Sequence, residues 1–501
     1  MKKLIISAVF ACGLVAAIEA APGDAVTQAD LKALIERINK LEAENKAQAE
    51  KIARLEGRIA GPAAVKAEEK GAAPALAKEE TTEVSESGRV YKTAQGYSYY
   101  LADKFAGIFE PLSDAGLKIT PYGWLVAEID YNSHSTEVDT YTDYVRRKSH
   151  RSYKDGTTVF SMQDSILGIR FETPEKVDGW KFSGKAEFDL CGDHANDYAF
   201  HWRHLYTEAE HDSGWSILFG QTWHLWRMVT PSEIDGAWME NTGHPYRRSP
   251  QIRVTKKWDF KENGTLEARV GLVKNGPGMG GDRDGDGNQD NSASRWALVE
   301  GALLYERDAF WTEAEGKETR RWLVGVAGMY GRDRSHRASE WDDDGLPVAF
   351  DGTSDDYDSQ MLMFAASVPL SRRFTLCGQL FAGENLGGIQ AGVGQRVAYR
   401  PDHRRGTCVR TIGGFVDLNF NLTPDDEKWS FAAGYGFDDP QDSDAHYAEG
   451  ICYNDRAYID AFYRVNANLH FGVEYAYLTT KYYDEGRAND HRFQITAFYD
   501  F

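Results

Sequence analysis

Apolar and polar residues alternate in the last part of the chain. Counting back from Phe501, every second residue is apolar, namely Tyr499, Ala497, Ile495 and Phe493. The positions between them are mostly polar. A period of two places the two sets on opposite faces of a β-strand. The segment is therefore predicted to be a strand with one apolar face and one mostly polar face.

The same alternation recurs in about sixteen segments after residue 116. The first of them places Leu125 and Ile129 on one face and Glu128 and Asp130 on the other. The segment at 200–209 is ambiguous, because neither parity fits all of it. The segments begin near residues 117, 159, 180, 199, 215, 250, 265, 295, 321, 359, 373, 409, 429, 456, 468 and 491. This spacing allows about ten residues per strand, the length that crosses a bilayer at a tilt.

The connections between these segments are alternately long and short. A long polar stretch at 132–158 is followed by a short turn at 172–179, and a long stretch at 223–249 precedes another short one. The alternation is weak at 307–320. Membrane barrels have long loops on one side and short turns on the other, whereas a secreted β-sandwich or propeller has no such requirement. The sequence therefore predicts an all-β fold, a transmembrane antiparallel β-barrel of about 16 strands over residues 117–501.

The beginning of the chain reads as a secretory signal peptide at residues 1–20. Lys2 and Lys3 precede an apolar run, 4–18, that is too short to span a membrane comfortably. An exported chain that ends on an aromatic strand resembles outer-membrane barrels, whose last strand is read by the insertion machinery. The prediction is the outer membrane of a Gram-negative-type bacterium, with the residues before the barrel in the periplasm.

A heptad pattern at residues 26–59 predicts a coiled coil. Its seam is Leu31, Leu34, Ile38, Leu41, Asn45, Gln48, Ile52, Leu55 and Ile59. The seam is narrow, which favours self-association over a single amphipathic helix packed on its own domain. Isoleucine at a and leucine at d favour two strands, whereas porins are typically trimers, so the heptads alone leave the number open. Residues 60–95 read as a flexible linker and 96–116 as a short helix near the barrel mouth.

Composition adds little to the fold but limits the function. The formal net charge is −20 and the mean hydropathy is −0.54, values that do not exclude a barrel because each of its strands is only half apolar. Acidic loops repel polyanions, so nucleic acid is not an expected partner. No catalytic constellation stands out among the 13 histidines, and the chain is not predicted to be an enzyme.

The long connection at 223–249 is the candidate pore constriction. Opposed cationic and acidic side chains in a narrow pore select ions, and this connection carries both kinds. The candidate residues are Arg203, His224, Arg227, Glu233, Asp235, Arg247 and Arg248, with the four arginines on the positive side. The alternative is that they lie on the surface or at a subunit interface. Inward strand positions such as Lys185, Glu187, Glu474 and Arg492 carry both signs, which predicts a lumen of mixed charge.

Two further features are candidate sites. Asp282, Asp284, Asp286, Asn288 and Asp290 place oxygen ligands at alternate positions around Gly287, as calcium loops do, although position twelve is Ala293 and not the glutamate of an EF-hand. The alternative is a solvated acidic loop, so calcium is at most a possible cofactor. Cys408 and Cys452 lie near the outer ends of their strands and are a candidate disulfide.

The stretch DSILGIRFETPEKVDGWKFSGKAEFDL, with GQTW and RRSPQIR after it, resembles the DcaP-like trimeric porins. The resemblance is best over about 117–260. It implies a periplasmic coiled coil before a sixteen-stranded barrel, a homotrimer, and passive diffusion of small hydrophilic, often anionic solutes. The alternative function is a tether between the outer membrane and the peptidoglycan, in which the coiled coil binds the cell wall.

Overall fold

The computed structural model describes residues 117–173, 176–191, 198–274, 297–311, 320–341, 347–400, 405–423 and 428–501, without the side chains of 335–354. The predicted signal peptide (1–20), coiled coil (26–59), linker (60–95) and short helix (96–116) all lie outside the described residues. The description that follows therefore concerns the predicted barrel alone.

The described residues form nineteen β-strands, most of them with the period-two pattern of the sequence. They are β1 (Lys118–Asn132), β2 (Thr157–Ser161), β3 (Ile166–Glu172), β4 (Trp180–Cys191), β5 (Tyr198–His211), β6 (Trp215–Trp223), β7 (Arg248–Asp259), β8 (Thr265–Val273), β9 (Leu298–Asp308), β10 (Arg321–Trp341), β11 (Pro347–Pro369), β12 (Phe374–Glu384), β13 (Val397–Ala398), β14 (Thr407–Cys408), β15 (Arg410–Asn421), β16 (Trp429–Pro440), β17 (Ile451–Arg464), β18 (Leu469–Tyr482) and β19 (Gly486–Asp500).

Helical structure in the described residues is short. There are 3-10 turns at Lys261–Asn263 and Gly387–Ile389, and one α-helical turn at Asp442–Ala445. Among the described residues, no helix has the length and apolar character needed to cross a membrane.

The sheet closes on itself. β19 pairs antiparallel with β1, so that Ile129 lies opposite Ile495. β2 and β3 both pair with β1 and together occupy the place of one strand, interrupted at residues 162–165. β13 and β14 form a separate two-stranded sheet in the connection between β12 and β15. In the part of the chain that is described, the result is a closed antiparallel barrel of sixteen strands, which confirms the predicted fold class.

Side chains alternate between the two faces of this wall as the sequence pattern predicts. On β19, Ile495 is 56 % exposed and Phe493 is 51 % exposed, whereas Arg492 and Gln494 are fully buried. The apolar face therefore points outward and the polar face points into the barrel, the reverse of a soluble protein.

The ambiguous segment at 200–209 contains an irregularity in β5. The pairing of β4 with β5 shifts register at two points. As a result Arg203 and His204, which are neighbours in the sequence, are both buried, while Trp202 and Leu205 on either side of them are both about half exposed. An extra residue in one strand reverses the parity of all that follows, so no single parity can fit the whole segment.

Candidate functional site

The connection between β6 and β7 lies inside the barrel. We call residues 224–247 the inward segment. The segment has no regular secondary structure, yet most of its residues are buried. Its backbone N–H groups reach inward-facing carboxylates of distant strands: that of Ile234 donates to Glu474 on β18 at 2.9 Å, and that of Ser232 donates to Asp417 on β15 at 2.5 Å. The segment therefore crosses the lumen from β6 to the opposite wall.

The first turn of the inward segment is fixed by Glu300 on β9. This carboxylate lies 2.5 Å from Nδ1 of His224 and accepts hydrogen bonds from the backbone N–H of Leu225 at 2.9 Å and from the indole N–H of Trp226 at 3.2 Å. All of these groups are buried. One carboxylate thus accepts hydrogen bonds from three groups that would otherwise be buried without this partner.

Ser249 completes a chain of three side chains at this anchor. Its Oγ lies 2.9 Å from Nε2 of His224, so the order is serine, histidine, glutamate. Serine hydrolases use the same order to activate a nucleophile. Ser249 is only 3 % exposed, however, and does not line the lumen cavity described below. The arrangement therefore anchors the segment, and we assign it no catalytic role.

The middle of the inward segment is held by two buried arginines. The guanidinium of Arg456 on β17 lies 2.8 Å from both Asp235 and Glu474 and also pairs with Glu233. Arg492 on β19 lies 3.1 Å from Asp235 and 3.0 Å from Asp130. Buried charges are tolerated only when paired in this way. The carboxylates of the segment are therefore bound to the barrel wall.

The end of the inward segment is held at Gly243. Its N–H donates to Asp438 on β16 at 2.9 Å, and its carbonyl accepts from Gln379 on β12 at 3.0 Å. The φ angle of Gly243 is +108°, and a Cβ at this position would lie 2.1 Å from the carbonyl oxygen of Gly414. Only glycine allows both the conformation and the close approach.

Two other connections also fold inward and contact the inward segment. Asp143, in the connection between β1 and β2, accepts a hydrogen bond from Asn241 at 3.2 Å. Ile389, in the connection between β12 and β15, accepts one from the N–H of Tyr246 at 3.1 Å. Burial raises the pKa of Asp143 to about 7, although the bond from Asn241 opposes this shift.

A cavity of about 810 Å³ lies between the inward segment and the end of the barrel that has the short turns. Its lining is strongly cationic. The charged residues that line it are Arg170, Lys185, Arg203, Arg227, Arg320, Arg321, Arg373 and Arg464, against the two carboxylates of Glu187 and Glu306. The lining carries both signs, as the sequence predicted for the lumen, but cations predominate, because carboxylates such as Asp235 and Glu474 are buried in the anchors.

Arginines and aromatic rings are stacked at the wall of this cavity. The guanidinium of Arg227 lies 3.7 Å from the ring centre of Trp223 and 5.2 Å from that of Trp238. The guanidinium of Arg248 lies 4.4 Å from Trp223 and 5.5 Å from Tyr246. These are cation–π distances. Burial lowers the pKa of Arg227 to about 9, so this guanidinium remains charged at neutral pH.

The arginines of this wall differ in their anionic partners. Arg203 bonds Glu187 at 2.9 Å and Asp189 at 2.7 Å. Arg227, Arg247 and Arg248 form no ion pair with any residue that the structure describes, and each has a buried nitrogen without a hydrogen-bond partner. Both cations stacked on Trp223, Arg227 and Arg248, therefore lack a bonded carboxylate.

The seven candidate constriction residues thus separate into two groups. Arg203 and Arg227 line the cavity, Arg248 stacks behind them on Trp223, and Arg247 is half-buried in the same segment. His224, Glu233 and Asp235 belong to the anchors and do not line the cavity. Sequence reasoning missed the anchoring partners Glu300, Asp438 and Arg456, since an inward-facing charge on a strand indicates the lumen but not its partner.

The remaining candidate sites have separate outcomes. The disulfide prediction is wrong for this structure, because Cys408 and Cys452 are both free thiols. Cys408 donates to the carbonyl of Asp358 and Cys452 to that of Gly450.

The predicted calcium loop lies outside the described residues, with all five of its candidate ligands, Asp282, Asp284, Asp286, Asn288 and Asp290. Within the described ranges, no group of three or more His, Cys, Asp or Glu side chains could hold a metal ion.

Comparison with known proteins relates the chain to solved channels through its fold. The sequence matches no protein-family model and no curated protein sequence. The outer membrane channel DcaP of Acinetobacter baumannii superposes with a TM-score of 0.59 at 18 % identity, over 77 % of this chain and 98 % of that one. OprB of Pseudomonas putida superposes with a TM-score of 0.46 at 12 % identity, over 81 % of this chain and 99 % of that one. OmpF of Salmonella typhi superposes with a TM-score of 0.45 at 15 % identity, over 77 % of this chain and 99 % of that one.

The superposition on DcaP covers nearly the whole of that channel. At 18 % identity it establishes the fold and nothing finer. The chain therefore shares the β-barrel fold of the DcaP channel, which confirms, at the level of the fold, the resemblance drawn from its sequence.

Proposed function

We propose that the protein is an outer-membrane porin through which small hydrophilic solutes diffuse passively, with a preference for anions. The apolar outer wall suits a bilayer and the polar interior suits a water-filled path. The observation that carries the proposal is the cavity beside the inward segment, lined by eight arginine or lysine side chains and two glutamates. Such a lining raises the local concentration of anions despite the net charge of −20.

In this proposal the inward segment, within the predicted 223–249 connection, forms the constriction. Its anchors hold it across the lumen, and Arg227 faces the cavity with a charge that no described carboxylate pairs. Fixed charges beside a narrow path select ions by sign. Glu233 and Asp235 serve a different purpose, because their charges are paired with Arg456 and Arg492.

Ion selectivity of point variants tests the proposal. In planar bilayers, Arg227→Gln is expected to lower the ratio of chloride to potassium permeability, because it removes an unpaired cation next to the path. Arg332→Gln is the matched control, since Arg332 and its partner Asp358 are both exposed. An unchanged ratio in Arg227→Gln would reject this constriction, and the absence of channels in folded wild-type protein would reject the porin function.

The oligomeric state and the calcium loop remain predictions of the sequence. We propose a homotrimer joined through residues 26–59, which cross-linking of the full chain with and without that segment would test. Calcium at Asp282–Asp290 would be tested by isothermal titration of the folded protein and of an Asp284→Asn, Asp286→Asn variant. Calcium binding that is unchanged in this variant would reject the site.

A further inference from the structure

The two cations beside the cavity that lack a bonded carboxylate, Arg227 and Arg248, share one indole ring. We propose that Trp223 is the positioning residue of the constriction, which holds both guanidiniums beside the path by stacking and not by ion pairing. The ion selectivity of the channel then depends on an aromatic side chain that carries no charge. This inference rests on the proposed function and deepens it, because it assigns what keeps the selecting charges in place.

The position of Trp223 in the fold brings the two cations together. It is the last residue of β6 and lies directly opposite Arg248, the first residue of β7. The inward segment leaves β6 at this point and places the guanidinium of Arg227 over the same ring, 3.7 Å from its centre. The guanidinium of Arg248 lies 4.4 Å from that centre. One ring thus contacts a cation of the barrel wall and a cation of the inward segment.

The ring of Trp223 is itself held by two other aromatic rings. Tyr246 packs against it edge to face with the ring centres 4.7 Å apart, and Trp238 lies 6.4 Å away. Tyr246 and Trp238 also contact each other, at 5.5 Å, and aromatic pairs at such distances attract. Trp238 has a φ angle of +45°, which a non-glycine residue seldom adopts unless the surrounding structure imposes it. The inward segment therefore supplies two rings that fix the third.

Arg203 shows the contrasting way of positioning an arginine on the same cavity. It is bonded to Glu187 and Asp189, and these carboxylates cancel its charge. An aromatic ring attracts a guanidinium through its quadrupole and adds no net charge of its own. Stacking on Trp223 therefore fixes the other two guanidiniums but leaves their charge to act on passing ions. Arginine suits this arrangement, because its planar guanidinium stacks on an aromatic face.

Reversal potentials of full-length variants in planar bilayers test this role. Trp223→Leu removes the ring and frees both guanidiniums to adopt other rotamers. It is expected to lower the ratio of chloride to potassium permeability at least about twofold, whereas Trp223→Phe keeps a ring and should retain most of the ratio. Trp215→Leu is the matched control. Trp215 lies on the same strand but on the outer wall, where Lys256 stacks on it at 5.3 Å, so its loss should leave the ratio unchanged.

A background without the two cations distinguishes positioning from simple packing. If Trp223 acts through Arg227 and Arg248, Trp223→Leu should cause no further change in a protein that already carries Arg227→Gln and Arg248→Gln. A further loss of selectivity in that background would overturn the assignment. Equal losses in Trp223→Leu and Trp223→Phe would overturn the stacking role, and so would a ratio that Trp223→Leu leaves unchanged.

Tryptophan with fluorine on its indole ring tests the same role if Trp223→Leu fails to fold. Fluorine draws electron density from the ring and weakens its attraction for cations. Wild type produced with this amino acid should be less anion-selective, whereas labelled Trp223→Phe should not respond. Equal responses would overturn the assignment to Trp223. Unlabelled wild type without anion preference would reject the proposed function and this inference with it, whereas anion-selective channels that none of these changes affect would overturn this inference alone.

Discussion

The guanidinium of Arg456 lies 2.8 Å from the carboxylate of Asp235, although the two residues are 221 positions apart in the sequence. One belongs to the barrel wall and the other to the inward segment. Both are fully buried, and Arg456 also contacts Glu233 and Glu474. A single wall guanidinium thus pairs with two carboxylates that the inward segment carries into the lumen, Glu233 and Asp235.

The first prediction concerns this anchor. Arg456→Gln is expected to destabilise the folded barrel by about 3–5 kcal/mol, because it leaves buried carboxylates without their cation. Thermal unfolding in detergent, followed by the heat-dependent shift in electrophoretic mobility, measures the effect. Arg332→Gln is the control: Arg332 and its partner Asp358 are both exposed, and such surface pairs contribute little to stability. Equal melting of the two variants would show that Arg456 does not anchor the segment.

The second prediction concerns Glu300. Glu300→Ala leaves His224, the N–H of Leu225 and the indole N–H of Trp226 without their acceptor. We expect a loss of about 2–4 kcal/mol in unfolding free energy, at about 1–3 kcal/mol for each unsatisfied buried group that cannot relax. Glu300→Gln keeps one acceptor oxygen and should lose clearly less. If both variants melted together, the hydrogen bonds to Glu300 would not be what holds the segment.

The third prediction concerns pH. The pKa of Asp143 is about 7 in the folded protein and about 3.9 in an unfolded chain. Between these values the folded state binds more protons, so this group's contribution to stability falls as pH rises from about 4 to 7. Asp143→Asn cannot ionise but still accepts from Asn241. It should therefore be more stable than wild type at pH 8, by about 1–2 kcal/mol after allowance for solvent screening, and equal to it at pH 4.

Melting temperatures of wild type and Asp143→Asn from pH 4 to pH 8 measure this difference. Two curves that stay parallel over the whole range would show that Asp143 does not titrate as described. The comparison isolates one group, because both proteins share every other carboxyl.

The fourth prediction concerns the outer wall. Ile459, in the middle of β17, is 59 % exposed, and Val465, in the turn that follows β17, is 46 % exposed. If the wall faces lipid, Ile459→Arg should cost about 2–4 kcal/mol and Val465→Arg about 0–1 kcal/mol, because the cost of a cation depends on depth. Folding yields and melting in lipid vesicles measure both. Equal effects would argue against this placement of the wall in a bilayer.

The barrel was predictable because its signal is local. β1, β4, β6, β8 and β10 each begin within one residue of the position that the alternation indicates. A period of two depends only on which face of the strand is apolar. The alternation could not be assigned in β5, because one extra residue there reverses which face the following side chains occupy.

The contacts inside the barrel were not predictable in the same way. The sequence indicated that 223–249 carries charges of both signs, but not that Ile234 would bond Glu474, which is 240 positions away. Which inward charges pair depends on the path of the segment across the lumen. That path is set by several anchors together. As a result, Glu233 and Asp235 pair with an arginine of the barrel wall, whereas Arg227 lines the cavity.

The reversal potential of the wild-type channel in a KCl gradient tests the central claim most directly. Folded protein inserted in a planar bilayer is expected to give discrete conductance steps, with a reversal potential of the sign that chloride permeation produces. That result follows from the cationic cavity beside the inward segment. A reversal potential of the opposite sign, or folded barrels that conduct no ions, would contradict the account.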